Sequence, residues 1–206
     1  MNKTVIKAEP GQRGPADHAV REQIVLAAKE HFSRYGYAKT TVSDMAEAIG
    51  FSKAYIYRFF DSKQAIGEAI CTQCLTAIGD QVEEAISTVK PGPEQLRKLL
   101  RTQVEGSISL FFSERKLYDI AAHSASEKWS SALKYLERID QLVSDVITAG
   151  RKAGEFERKT PLDETCRAIG LAMQPFTHPM MLQFCLDDAP VASNEVINLI
   201  LRSLAP

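Results

Sequence analysis

Residues 40–66, TTVSDMAEAIGFSKAYIYRFFDSKQAI, contain two short helix-forming segments separated by three residues, and this spacing restricts the possible fold more than any other feature. The first segment starts at Thr41, whose hydroxyl can accept from the amide of Asp44 while the Asp44 carboxylate reaches back. Gly50 ends it, because glycine readily takes the left-handed conformation of a helix terminus. Ser52 can then cap the next helix. Two short helices joined by a glycine-containing turn form a helix-turn-helix.

The rest of the chain also has helical periodicity. Apolar residues recur at spacings of three and four, and neither sustained alternation nor an Asn-Gly or Asp-Gly hairpin turn indicates strands. The sequence therefore predicts an all-α fold with a flexible arm over residues 1–16, a three-helix helix-turn-helix domain over residues 17–63 and a larger helical domain over residues 64–206. One predicted core stripe of the larger domain is Trp129, Leu133, Leu136, Val143 and Ile147.

Composition limits the class of protein. Of the 206 residues 45% are hydrophobic and 25% are charged, which is typical of a globular chain. No apolar run approaches the roughly 18 residues that suggest a membrane span, and no secretion signal precedes the first helix. We therefore expect a cytoplasmic protein that does not enter the membrane and whose four cysteines stay reduced.

The second helix of the motif has a cationic and aromatic outer face. Ile56 and Phe60 are expected to point inward, and the remaining side chains outward: Lys53, Ala54, Tyr55, Tyr57 and Arg58. This face suits the DNA major groove, where a helix meets phosphates at both rims and base edges on the floor. Residues 1–63 carry ten cationic and seven anionic side chains and the remaining residues 15 and 19, so charge favours the same end. This pattern alone is also compatible with a helical hairpin that has a purely structural role.

The same residues resemble a known family. GYAKTTVSDMAEAIGFSKAYIYRFFDSKQAI, residues 36–66, is similar to the signature of the tetracycline-repressor (TetR) family of bacterial transcriptional regulators, and the resemblance covers about residues 17–66. It implies a DNA-binding regulator that is not an enzyme and needs neither cofactor nor metal. It also implies a homodimer that binds a palindromic operator on double-stranded DNA, most often a repressor released by a small, usually apolar molecule. The matching positions are Phe32, Gly36, Thr40, Thr41, Ala46, Ile49, Gly50, Ser52, Lys53, Ile56, Tyr57, Phe60, Ser62 and Lys63.

The family pattern implies roles for individual residues. Thr41 is expected to contact a phosphate while it caps its helix, and Tyr57 and Lys63 to hold phosphates. Lys53 and Ala54 are expected to approach base edges. The amides at the helix starts, including the one at Ser52, can attract phosphates to the positive end of the helix dipole.

Four other positions of this segment vary or depart from the family pattern. Tyr55 and Arg58 lie where family members vary, so we expect them to set the choice of sequence. Phe59 stands where histidine is common, and Asp61 where lysine is common. Both departures weaken the expected contact with the DNA backbone.

The larger domain is expected to supply a dimer interface and an effector pocket. The resemblance places the interface on the last two helices, predicted over about residues 163–185 and 193–204. Two recognition helices about 34 Å apart would read a palindrome. Pro175 and Pro179 suggest kinks that could open a cavity. Pocket candidates, each of which could equally be ordinary core, are Phe111, Phe112, Tyr118, His123, Trp129, Met173, Phe176 and His178.

Two alternatives remain open at this level. One is a DNA-binding protein that takes no small-molecule inducer and acts through a protein partner. The other is a thiol-based redox sensor that uses the CxxC pair Cys71 and Cys74, although buried helical thiols explain that pair more simply. Zinc would need two further ligands, and none is evident.

Overall fold

The computed structural model describes residues 15–113 and 118–206, with side chains over 17–110 and 118–206, and every regular element in these ranges is a helix. The all-α prediction is therefore confirmed. The predicted arm over residues 1–16 lies outside the described residues except for its last two, which begin the first helix. The helices are α1 Pro15–Tyr35, α2 Val42–Ile49, α3 Lys53–Tyr57, α4 Lys63–Ser87, α5 Pro93–Ser113, α6 Tyr118–Ser126, α7 Ser130–Ala153, α8 Leu162–Thr177, α9 Pro179–Cys185 and α10 Ala189–Ser203.

The long helix α4 connects the two ends of the molecule. Its first turns pack against α1 and α6, and the rest of its length packs against α5 and α7. Helices α8 and α10 complete the bundle by packing against α5 and against each other, and α8 also packs on α7. α4 therefore contacts helices at both ends of the molecule.

Two hydrophobic cores lie along this axis. The body core joins residues of α4, α5, α7, α8 and α10, among them Leu99, Ile147 and Met173. The head core joins α1, α2, α3 and the first turns of α4. Ile120 of α6 and Trp129, which precedes α7, also belong to the head core and are 1% and 2% exposed. Residues far along the chain thus complete the interior of the N-terminal part.

The predicted stripe of α7 is wrong at two positions. Leu133 and Leu136 are 44% and 52% exposed, because the inner face of this helix passes through the buried Ser131 and through Tyr135, which packs against the body core. Both inner residues carry a hydroxyl group, so apolar spacing alone does not identify them as part of the inner face. Val143 and Ile147 are buried as predicted.

The helix predicted over residues 163–185 is two helices. α8 ends at Thr177, His178 takes an extended conformation with φ −84° and ψ 125°, and Pro179 begins α9. A residue that precedes proline is pushed out of the helical region by the proline ring, which explains the break. Pro175 is tolerated inside α8 near its end. The last helix, predicted from residue 193, begins at Ala189.

Candidate nucleic-acid interface

Helix α2 begins with the predicted reciprocal cap. The Asp44 amide donates to Thr41 Oγ1 at 3.2 Å, and the Thr41 amide donates to Asp44 Oδ2 at 2.8 Å. The bond from the Thr41 backbone and the one with its side chain lower the pKa of Asp44 below its usual 3.8. The cap therefore persists at neutral pH and fixes the start of the first motif helix.

The turn between α2 and α3 has the predicted chemistry as well. Gly50 has φ +71°, a conformation that costs little for glycine alone, and its N–H donates to the carbonyls of Ala46 and Glu47. Ser52 then accepts from the Tyr55 amide at 3.1 Å and caps α3. The start of each motif helix and the turn between them are thus set by residues close together in the sequence.

The second motif helix presents cations and a phenol to solvent. Lys53, Ala54, Tyr57 and Arg58 are all exposed, and the Tyr57 side chain is 42% exposed. The Lys53 ammonium lies 5.9 Å from the centre of the Tyr57 ring. These four side chains face solvent, whereas the head core holds Ile56 of the same helix at 0% exposure.

Tyr55 lies differently from the sequence expectation that it faces outward. Its side chain is half-buried, and its ring meets Phe51 and Phe59 edge-on at 5.0 and 5.3 Å. Phe59 itself is only 8% exposed, so the residue that departs from the family pattern forms part of the interior. Asp61, the other departure, is exposed beside the start of α4.

Lys63 occupies the first turn of α4, where Ser62 caps the helix by accepting from the Ala65 amide at 3.0 Å. The Lys63 ammonium donates to the carbonyl oxygens of Tyr37 and Thr40, both at 3.1 Å, and lies 4.4 Å from the centre of the Tyr37 ring. Two of the three ammonium donors thus serve backbone carbonyls, and the ammonium also lies against an aromatic face. Lys63 therefore braces the turn before α2, and its contact with a DNA phosphate stays a prediction.

Sequence reasoning missed Tyr37 and Arg21. Tyr37 is 5% exposed and meets the Trp129 ring at 5.7 Å and the His123 ring at 5.5 Å, both edge-on. Arg21 of α1 donates to the carbonyl oxygen of Phe59 at 2.8 Å. Neither contact is local, so no spacing in the sequence predicts it. For Tyr37 the one signal in the sequence is its place directly after Gly36, the glycine that ends α1.

The predicted pocket residues do not form one site. Trp129 belongs to the head core and His123 meets Tyr37 there, whereas Met173 and Phe176 belong to the body core. Tyr118 is buried at the start of α6. The Nδ1 atom of His178 accepts from the Met180 amide at 3.2 Å and caps α9. Phe111 and Phe112 fall in α5, but their side chains lie outside the described residues.

A cleft of about 520 Å³ opens elsewhere, at the end of the body core that lies away from the head. None of the described pocket candidates lines it. Arg158 donates to the backbone oxygen of Arg151 and so satisfies the C-terminal end of α7. Arg151, in turn, donates to the backbone oxygens of Glu157 and Thr160, so both arginines of this cleft hold backbone groups around the end of α7. The lining residues are Thr148, Arg151, Lys152, Arg158 and Leu162.

The cysteines of the CxxC pair lie on α4. Cys71 is 6% exposed and Cys74 is half-buried. Burial raises the pKa of the Cys71 thiol to about 12, although an interaction with Ser124 opposes part of that shift. Because the thiolate is the reactive species, this environment suppresses thiol chemistry at neutral pH. Across residues 15–113 and 118–206, no group of three or more His, Cys, Asp or Glu side chains could hold a metal ion.

Within the described part of the chain, no helix combines the length and the apolar character needed to cross a membrane.

The N-terminal part of the chain, which contains the head core, and the C-terminal part, which contains the body core, each match a family model. Residues 24–70 match "Bacterial regulatory proteins, tetR family", and residues 92–196 match "Tetracyclin repressor-like, C-terminal domain".

Individual relatives are similar over most of their length. The chain is 21% identical to the uncharacterized HTH-type transcriptional regulator YdgC of Bacillus subtilis, over 90% of this chain and 93% of that one. The fatty acid degradation regulator FadR of Bacillus halodurans has the same fold, with a TM-score of 0.68, 20% identity and coverage of 93% and 97%. FadR of Bacillus subtilis in complex with stearoyl-CoA gives a TM-score of 0.68 at 19% identity, with coverage of 89% and 98%.

Proposed function

Because the chain belongs to the TetR family of bacterial transcriptional regulators and is a DNA-binding regulator of transcription, we propose that it is a cytoplasmic homodimeric repressor that leaves a palindromic operator when a small, largely apolar molecule binds its body. The exposed face of α3 carries this proposal. Lys53 and Arg58 supply charge, Tyr57 supplies a hydroxyl, and Ala54 leaves room for close approach to a base edge. The Gly50 turn joins α2 to α3, and buried Ile56 anchors α3 in the head core, so the exposed face of α3 has a defined direction, as a major-groove reader requires.

Exposed apolar side chains on α8 and α10 support a dimer. Leu171 of α8 is 59% exposed, and Val191 and Leu199 of α10 are 66% and 63% exposed. The two α10 positions are eight residues apart and therefore share one face of the helix. Apolar residues left in solvent on two neighbouring helices suit an interface between identical chains. A second chain would place a second recognition helix on the adjacent half-site.

An effector would have to bind the body more tightly in a form whose recognition helices are wrongly spaced for the operator. The body core is apolar, but Gln103 of α5 is 6% exposed inside it, and burial raises the pKa of Tyr135 to about 12 while Gln103 opposes part of that shift. The Tyr135 hydroxyl has no hydrogen-bond partner of good geometry among the described residues. A ligand with a long apolar part and one polar group could form a hydrogen bond with the Tyr135 hydroxyl after α5 and α7 move apart.

The stearoyl-CoA complex of the Bacillus subtilis relative suggests the first probe. A duplex selected from a random library by the purified protein serves as operator, and fluorescence anisotropy measures its dissociation constant. We expect stearoyl-CoA to weaken binding at least tenfold, coenzyme A alone to have no effect, and Tyr135→Phe to reduce the response. Stearate distinguishes the acyl chain from the thioester as the recognised part.

Sedimentation equilibrium tests the dimer. Leu171→Glu is expected to give a folded monomer with weakened operator binding, whereas the matched change Leu26→Glu, at a residue of α1 that is 61% exposed, should leave the dimer intact. A wild-type monomer at micromolar concentration would refute the homodimer. If neither these ligands nor a cell metabolite extract weaken operator binding, the result would favour the alternative. In that alternative the protein takes no small-molecule inducer and acts through a protein partner.

A further inference from the structure

Arg21 makes a contact that ties α1 to the end of the recognition helix. Its Nη1 atom donates to the carbonyl oxygen of Phe59 at 2.8 Å. Its guanidinium carbon lies 4.1 Å from the centre of the Phe60 ring, which is 2% exposed. The planar guanidinium thus stacks on an immobile ring and uses one edge for a charged hydrogen bond.

The position of this contact gives it weight. α3 contains only the five residues Lys53–Tyr57, and Arg58 caps it with its N–H directed at the carbonyls of Tyr55 and Ile56. Phe59 and Phe60 then donate to the Ile56 carbonyl at 2.9 and 3.1 Å. A helix this short has little stability of its own, because its first turn costs more entropy than its few hydrogen bonds return. Its orientation must come from contacts outside the helix.

The core side of the segment over residues 53–60 is held by apolar packing of Ile56 and Phe60. A cation at the polar end of the segment is favourable, because carbonyl groups at a helix C-terminus carry partial negative charge. Arg21 supplies such a cation, because its side chain donates to the Phe59 carbonyl of this segment.

We propose that Arg21 is a positioning residue for DNA reading: it fixes the end of α3 relative to α1 and so determines where Lys53, Tyr57 and Arg58 point. It acts through the Phe59 carbonyl and does not itself hold a phosphate. This inference rests on α3 being the helix that reads the operator, as in the proposed function.

Amide hydrogen exchange without DNA tests the local effect. In Arg21→Met, which keeps an apolar stem over Phe60 but removes the donor, we expect the Phe59 and Phe60 amides to exchange about tenfold faster. Arg34→Met is the matched control, because Arg34 lies on the same helix. Its guanidinium carbon lies 5.4 Å from the centre of the adjacent Tyr35 ring. Arg34→Met should leave those two amides unchanged. Unchanged exchange in Arg21→Met would overturn the proposal, whatever the DNA results.

Binding to the selected duplex tests the functional effect. We expect Arg21→Met to weaken binding about tenfold while the slope of log K against log salt stays at the wild-type value. A phosphate contact would instead lower the slope by about 0.9. Arg21→Lys keeps charge and one donor but loses the planar stack, so it should recover only part of the affinity and still leave the two amides faster than in wild type.

The outcomes are separable. A lowered salt slope with full recovery in Arg21→Lys would make Arg21 a phosphate contact and overturn the positioning role. Unchanged affinity in Arg21→Met would also overturn it. If the Phe59 and Phe60 amides exchange faster in Arg21→Met but the wild-type protein binds no duplex, the local contact of Arg21 is supported. The proposed DNA-reading function is then contradicted. Should Arg21→Met fail to fold, Arg21→Lys alone carries both measurements.

Discussion

The Lys63 ammonium lies 4.4 Å from the centre of the Tyr37 ring and donates at 3.1 Å to the carbonyl oxygen of that same residue. One side chain of α4 therefore holds both the ring and the backbone of a residue that follows α1. Since it also donates to Thr40, directly before the α2 cap, it links the start of the body helix to the start of the motif. The predicted phosphate contact and a structural brace are thus the same group.

Replacement of Lys63 with methionine should lower the free energy of unfolding by about 1–3 kcal/mol, because two carbonyls lose a charged donor. It should also weaken binding to all DNA sequences alike. Urea denaturation and anisotropy measure the two effects. Lys53→Met is the matched control: it removes a solvent-exposed ammonium and should change stability by less than about 0.5 kcal/mol. A Lys63→Met protein of wild-type stability would show that the ammonium serves DNA alone.

Tyr55 and Arg58, predicted together as residues that choose the sequence, should separate on mutation. Tyr55→Ala removes a ring packed against Phe51 and Phe59 and should cost about 1–3 kcal/mol of stability, whereas Arg58→Ala should cost less than about 0.5 kcal/mol. Arg58→Ala should still change the duplex enriched from a random library. Tyr55→Phe keeps the packing and isolates the hydroxyl. Equal destabilisation by the two alanine variants would contradict the half-buried position of Tyr55.

Gly67→Ala should destabilise the protein although alanine is the better helix former. The new Cβ would lie 3.0 Å from two ring atoms of Trp129 and 3.1 Å from the ring of Tyr37. Both rings are buried and packed on each other, so neither can move away cheaply. We expect a loss of about 1–3 kcal/mol by thermal or urea denaturation.

A double-mutant cycle identifies the cause of that loss. Trp129→Phe shortens the opposing ring, so Gly67→Ala should cost less in that background than in wild type. Additive effects would mean that the glycine is required for another reason.

Stability should fall at alkaline pH in a way that depends on Cys71. An unfolded thiol ionises near pH 9, whereas burial keeps the proton on Cys71 until about pH 12. The unfolded state therefore loses its proton first, and the contribution of this thiol is complete below about pH 9 and declines as pH rises toward 12. Burial also raises the pKa of Tyr37 to about 12, which adds to the decline above its usual 10. Urea denaturation between about pH 8 and 11 should show a shallower decline for Cys71→Ala.

The same thiol gives a second readout. Iodoacetamide at neutral pH should modify Cys71 in the native protein much more slowly than in urea. Rapid native labelling of Cys71, or an oxidant response abolished when Cys71 and Cys74 are both serine, would restore the redox-sensor alternative.

The parts of the molecule that the sequence predicts are the local ones. The Thr41–Asp44 cap, the Gly50 turn and the Ser52 cap each depend on residues at most four positions apart, and such contacts have a recognisable spacing. The outward direction of Lys53, Tyr57 and Arg58 also follows from the period of one helix.

The parts that the sequence could not predict depend on distant contacts. Lys63 meets Tyr37 across 26 positions and Arg21 meets Phe59 across 38, and no periodicity encodes either pair. An aromatic residue at helical spacing such as Trp129 fits any core, so the spacing alone does not distinguish a pocket from the head core. Only the path of the chain after α6 decides that Trp129 enters the head.

The presence of Ile120 and Trp129 in the head core limits how modular this regulator is. A fragment that stops at the break after α4 would lack both side chains and expose the apolar surface they cover. Exchange of the N-terminal domain between related proteins would meet the same difficulty. The head core of the transferred domain needs a side chain equivalent to Trp129 from the recipient protein. Chimeras that carry α6 and the first turn of α7 together with the head are therefore the ones to build.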